Sequence, residues 1–268
     1  MFGQAFLYTD IHSGGVEKSR VPVRQIGKTT SGEPVYSSDE ALNQHCLVTG
    51  ATGSGKSCAL FAMEKYAATS GNVLVVIDYC NSHKKETMDA FFTDAPELQR
   101  IYFNVQKNGL PFSFWPEVKD SAAELAETGE YIAAALGMTG KNQIETVINL
   151  YKDAFDQYGG TAYDCFEAMR RTLSNWPGNS QNQKLKNALD VFHFERSGCI
   201  DLCAQGRILV VDLSGFDQRI AIPLAELIPA HLFRRQRKKK EQGSLAVVIP
   251  SNFYACILLY GERRGIFG

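Results

Sequence analysis

The chain has 268 residues, 44% of them apolar, enough for a real core in one large domain or two small ones. Its net charge is −1, so it is no general electrostatic sponge for nucleic acid, and any such contact must be local. No apolar run has the roughly 18 residues of a membrane span, and the N-terminus MFGQAFLYTD lacks the form of a signal peptide. Seven scattered cysteines, an odd number, read as the reduced thiols of a cytoplasmic protein rather than as a disulfide framework. Cys199-x-x-x-Cys203 has no second pair nearby and reads as small core residues, not a metal site.

Residues 1–44 form a lead-in of short apolar pieces at Ala5 to Tyr8, Val21 to Val23 and Val35-Tyr36, separated by glycine turns. Two or three short strands are expected there, and no chemistry is legible. Cys46-Leu47-Val48-Thr49 then suits a buried strand. It opens Gly50-Ala51-Thr52-Gly53-Ser54-Gly55-Lys56-Ser57, which fits G-x-x-x-x-G-K-[ST] without mismatch. The glycines let the backbone curl, so that successive N–H groups through Cys58 surround phosphate oxygens. Lys56 is a point charge for β- and γ-phosphates, and Ser57 offers a hydroxyl to Mg²⁺. Ser57 to Ala68 reads as the helix that must follow, adding free N–H groups and its positive dipole end. Nucleoside triphosphate binding is the firmest implication of the sequence.

Val73 to Asp78 reads as a buried parallel strand tipped by a carboxylate. Asp78 there either orients Mg²⁺ or a water, or caps a turn. Arg100 to Val105 is a further strand, and Gly109 to Pro116 an extended connection without helix. A helical insertion occupies about 117–197. Its helices are marked by the capping box Ser121-x-x-Glu124 with Leu125, Ile132 and Leu136; by Ile144, Val147, Ile148, Tyr151 and Phe155, ended by Gly159-Gly160; by Phe166, Met169 and Leu173; and by Leu185, Leu189 and Phe192. These aromatic and methionine stripes read as core.

Ile208 to Gly215 is a second apolar strand ending in an acid. Asp212 has the form of a Walker B aspartate that holds Mg²⁺ through water, or of a turn carboxylate. A helix with Leu224, Leu227 and Ile228 follows; Pro229 either kinks or restarts it. It runs into the basic stretch Arg234 to Lys240, which reads as a solvated helix end or a phosphate contact. Ser244 to Ile249 is a third buried strand. It stops at Pro250-Ser251-Asn252, where acids would be welcome.

HCLVTGATGSGKS, VVIDYCNSHK, Leu110-Pro111-Phe112, the helical insertion and ILVVDLSGF together resemble the HerA/FtsK superfamily of P-loop ATPases, over about residues 26–268. The resemblance leans toward the HerA-like and conjugative-transfer branches. It implies an α/β, RecA-like domain over 45–268: a mainly parallel central sheet flanked by helices, with an inserted helical subdomain. It implies ATP and Mg²⁺ as cofactors, and a hexameric ring of identical subunits that moves double-stranded DNA with little sequence preference. A nuclease or a secretion channel is the implied partner.

Carried over by position, Gly50, Gly53, Gly55, Lys56 and Ser57 match the phosphate loop, and Asp78 the acid of the next strand. Asp212 matches the acid of the strand preceding the family's Walker B strand, and Leu245 to Ile249 that strand itself. There the family has Asp-Glu, one acid for Mg²⁺ and one for the attacking water; this chain has Pro250-Ser251. Arg263 or Arg264 matches a later arginine-rich stretch, as an arginine finger or a surface residue. The strand that follows in relatives is missing, so the sheet is expected to lack a final strand. The chain is a fragment or disrupted copy of a motor, or a nucleotide binder without useful turnover, or a motor in which Asp78, Asp212 or Glu262 substitutes. A small-molecule kinase would need an arginine-rich lid, and Arg170-Arg171 is the only pair in the insertion.

Overall fold

The computed structural model describes residues 6–8, 24–28, 31–37, 45–49, 53–69, 73–116, 122–199, 207–239, 245–250 and 254–260. The lead-in holds β1 (Phe6–Tyr8), β2 (Arg24–Lys28) and β3 (Pro34–Ser37). The strand expected at Val21 to Val23 lies outside the described residues. β4 (His45–Thr49) leads to α1 (Lys56–Thr69), β5 (Val73–Asp78), α2 (Lys85–Phe91) and β6 (Gln99–Asn104). One turn of helix, α3 (Val105–Asn108), precedes α4 (Ala122–Ala135), α5 (Lys141–Tyr158), α6 (Cys165–Leu173) and α7 (Ser180–Val191). The chain then forms β7 (Arg207–Asp212), α8 (Gln218–Lys239), β8 (Leu245–Pro250) and β9 (Tyr254–Tyr260). The helix α2 was not expected from the sequence, although Met88 and Phe92 stand four apart and both are buried.

The main sheet has the order β1-β4-β9-β8-β5-β7-β6, and β2 with β3 forms a separate hairpin. β8, β5, β7 and β6 pair in parallel. β4 runs in the same sense, because β9 lies antiparallel to both β4 and β8. Tyr254–Tyr260, which the sequence did not mark as a strand, folds back from β8 and pairs with β4.

The strands are apolar throughout because helices cover both faces. Alternate residues go to opposite sides. Leu74, Val76, Ile208, Val210 and Val248 pack with Leu60 and Phe61 of α1 and with Met88 and Phe92. Val75, Ile77, Leu209, Val211 and Val247 pack instead with α4 to α8. The helices between β6 and β7 therefore share a core with the sheet. Phe166 stacks on Phe192 at 4.8 Å, and Phe194 joins that pair edge-on to Phe216, just beyond the tip of β7.

Helix ends follow local chemistry. Asp164 Oδ1 accepts from the Glu167 N–H (2.9 Å), and Asn179 Oδ1 from the Asn182 N–H (2.8 Å), capping α6 and α7. Pro223 and Pro229 both lie inside α8, which continues through them. Arg234 departs from both readings of the basic stretch. It is buried, donating to Thr128 Oγ1 on α4 and contacting His231 Nδ1 at 3.0 Å. Burial, with Arg234 and Arg235 nearby, pushes the His231 imidazole down to about 3, so it stays neutral beside the guanidinium.

Candidate nucleotide-binding site

The site begins where β4 ends. Gly50, Ala51 and Thr52 lie outside the described residues; Gly53 to Cys58 do not. Gly53 and Gly55 take φ of +80° and +89°, a conformation closed to most L-residues. Among the described residues no heavy atom lies within 4 Å of where a Cβ on either would sit, so the turn is open on that side. Between them, Ser54 Oγ is buried and has no hydrogen-bond partner. The Ala59 N–H donates to Gly55 O at 3.0 Å and closes the first helical bond. The amides ahead of it are those that an α-helix leaves without an intrahelical acceptor. No acidic residue lies in the first turn of α1. Lys56 is half-buried and Ser57 is exposed at this end.

The helix places a cation at its own positive end, which opposes the macrodipole by roughly 0.3–1 kcal/mol. A bound polyphosphate reverses that sign. Curled glycines, an orphaned buried hydroxyl and a lysine at a helix N-terminus fit a triphosphate tail, and the exposed Ser57 is the residue that would offer a bound Mg²⁺ an oxygen.

The two strand-tip acids are engaged elsewhere. Asp78 is 3% exposed. Its Oδ1 accepts from the N–H groups of Cys80 (3.2 Å) and Ser82 (3.1 Å), and its Oδ2 from the His83 N–H (2.8 Å). Asn81, in the middle of this turn, has φ +59°. Asp212 Oδ1 accepts from the Ser214 N–H (2.9 Å) and hydroxyl (2.6 Å). Its Oδ2 accepts from Asn104 Nδ2 (2.8 Å), while Asn104 Oδ1 caps α3.

The two acids are in register, Asp78 beside Asp212 and Asp212 beside Asn104. β5 is three strands from β4 and β7 is four. At about 4.8 Å per strand, Asp212 stands roughly 19 Å from the β4 tip along the sheet. A Mg²⁺ held by Ser57 is beyond its reach, and the turn reading of Asp212 is the one its bonds support. We expect Asp212→Ala to cost about 1.5–3 kcal/mol in urea unfolding, as part-buried bonds to a charged acceptor are lost, and to leave Mg-ATP affinity within about twofold.

The remaining expectations sort plainly. Pro250 ends β8, two strands from β4. Ser251, Glu262, Arg263 and Arg264 lie outside the described residues. Cys58, Cys80, Cys165 and Cys199 are not joined in disulfides, and no metal-binding cluster exists among the described residues. No helix among them is long and apolar enough to cross a membrane. Sequence reasoning missed Glu64 and His83, both buried behind the phosphate loop. The available signal was a carboxylate at an apolar position of α1, between Leu60-Phe61 and Ala67-Ala68.

Strand, glycine turn and helix, set at the C-terminal edge of the parallel strands, define a P-loop ATPase fold. Residues 13–72, which include the phosphate loop and all of α1, match the FtsK/SpoIIIE family. Among solved structures the chain is similar to VirB4 of Thermoanaerobacter pseudethanolicus, with a TM-score of 0.57 and 12% identity, covering 88% of this chain and 69% of that one. At that identity the likeness speaks for the fold. No curated protein matches the sequence. The family match and the fold bear out the resemblance to the HerA/FtsK superfamily.

Proposed function

We propose that this chain is the Mg-ATP-binding domain of a HerA/FtsK-type DNA translocase that works as a homohexameric cytoplasmic ring on double-stranded DNA. The observation that carries the reading is the open Gly53–Ser57 turn at the head of α1, on the sheet edge where such folds bind ligands. Lys56 binds the β- and γ-phosphates, and Ser57 holds Mg²⁺, which supplies charge neutralisation at the transferred phosphate when bound. Cysteines not joined in disulfides suit a reducing compartment. A nuclease or secretion channel is the partner class the resemblance implies, and Arg263 or Arg264 is the finger it would place at a neighbouring subunit.

A second reading, nucleotide binding without efficient turnover, is favoured by two observations. β8 ends on Pro250, and the chain returns at once as β9. Asp78 and Asp212 are bound up in their own turns. Loss of a general base or water-positioning acid commonly costs about 10²- to 10⁴-fold in rate. Phosphate release from the full chain, with and without double-stranded DNA, separates the two. DNA-stimulated release above a Lys56→Ala control supports the motor. Release equal to that control, with ATP affinity retained, supports the binding module.

A further inference from the structure

Behind the phosphate loop lies a buried polar relay that the nucleotide contacts do not use. Glu64 sits on α1 seven residues after Ser57, two helical turns and about 10 Å further along the axis. It is fully buried. Its Oε1 lies 2.8 Å from His83 Nε2, and its Oε2 has no partner. His83 Nδ1 lies 2.8 Å from Ser82 Oγ, which lies 3.3 Å from Asp78 Oδ1. Phe61 holds the imidazole edge-on at 5.0 Å. The relay thus joins the helix that begins with Lys56 and Ser57 to the turn that closes β5. In the same layer Leu60 and Phe61 of α1 pack with Leu74 and Val76 of β5. A buried carboxylate with an idle oxygen is costly unless it is held for a purpose.

We propose that Glu64 and His83 are a positioning pair for the phosphate loop: their proton-bearing hydrogen bond fixes α1 against the β5 turn, and so fixes the amides and Lys56 that meet a triphosphate. The inference rests on the nucleotide-binding reading. Neither residue touches nucleotide; each acts through α1.

Both members of the pair are shifted upward. Burial raises the Glu64 carboxyl, with His83 opposing, and Asp78 adds to the rise. Burial lowers the His83 imidazole, but Glu64 and Asp78 more than offset this and its net shift is upward from 6.5. Ser82 touches the His83 ring, and Tyr102 of β6, whose phenol is pushed up to about 12, chiefly by burial, takes a small contribution from Glu64. Both shifts have one sign. The folded chain holds the proton more tightly than the unfolded chain does. The bond's contribution is therefore fully present below pH 6.5 and fades as the pH rises through the raised His83 value.

The test measures Mg-ATP affinity of the full chain from pH 6 to 9, for wild type, Glu64→Gln, His83→Phe and Ser82→Ala, with thermal unfolding as a fold check. Wild-type affinity is expected to fall about tenfold across the alkaline range, within the roughly 5- to 150-fold span of coupling between sites. Glu64→Gln removes the carboxylate that raises His83, leaving burial to keep the imidazole neutral, and is expected to flatten the profile. His83→Phe is expected to bind about tenfold more weakly at pH 6 while remaining folded. Should His83→Phe not fold, Ser82→Ala carries the test, through a profile displaced from that of wild type. A profile that is the same in wild type, Glu64→Gln and Ser82→Ala overturns the proposal alone. Failure of the wild type to bind Mg-ATP at any pH overturns the nucleotide reading, and this proposal with it.

Discussion

Lys56→Ala is expected to weaken Mg-ATP binding by about 10- to 150-fold, the equivalent of the roughly 1.5–3 kcal/mol of hydrogen bonds to charged groups. The same substitution should not harm the fold. Lys56 is the first residue of α1, where its charge opposes the helix dipole. Alanine there removes the repulsion and is the best intrinsic helix former. Stability is therefore expected to hold or to rise by a few tenths of a kcal/mol. The opposed signs are the test. A lysine held only for structure would lose stability and keep its affinity. Isothermal titration with Mg-ATP beside urea unfolding reads both quantities, and unchanged affinity in the variant would remove the nucleotide-binding reading.

Phe166→Ala is expected to cost about 3–5 kcal/mol, as buried phenylalanine truncations do. That is a large part of the roughly 5–15 kcal/mol that holds a typical domain together. The ring is wholly buried, lies nearly parallel to Phe192 and meets Phe194 edge-on. From there the aromatic contacts reach Phe216 beside the tip of β7, and the same core continues to Val75, Ile77 and Val211 of the sheet. The loss should therefore lower the midpoint of a single transition for helices and sheet together. Equilibrium urea unfolding, followed by circular dichroism and by tryptophan fluorescence from Trp115 and Trp176, checks this. Two separated transitions would show that α4–α7 fold as an independent unit.

Much of this molecule is written in short stretches of chain. The phosphate loop is local chemistry. Two glycines at positive φ, a lysine and a serine at a helix start need only their immediate neighbours to take shape. The buried strands announce themselves as apolar runs because both their faces are covered, and α4 to α7 follow the spacing of Leu125, Val147, Phe166 and Leu185.

What the tertiary structure alone decided is which distant segments lie side by side. Strand order depends on pairings across tens to hundreds of residues, so nothing near Tyr254–Tyr260 says that it slips between β4 and β8. Asp212 reads as a metal acid until Asn104, 108 residues away, is seen to hold its carboxylate. Arg234 reads as surface charge until Thr128 on another helix accepts its hydrogen bond. Glu64 and His83 have no motif at all; a buried acid becomes meaningful only when its partner arrives from elsewhere. Backbone geometry is dictated by adjacent residues. The state of a buried charge is dictated by whatever folding packs against it, and that information is spread over the whole chain.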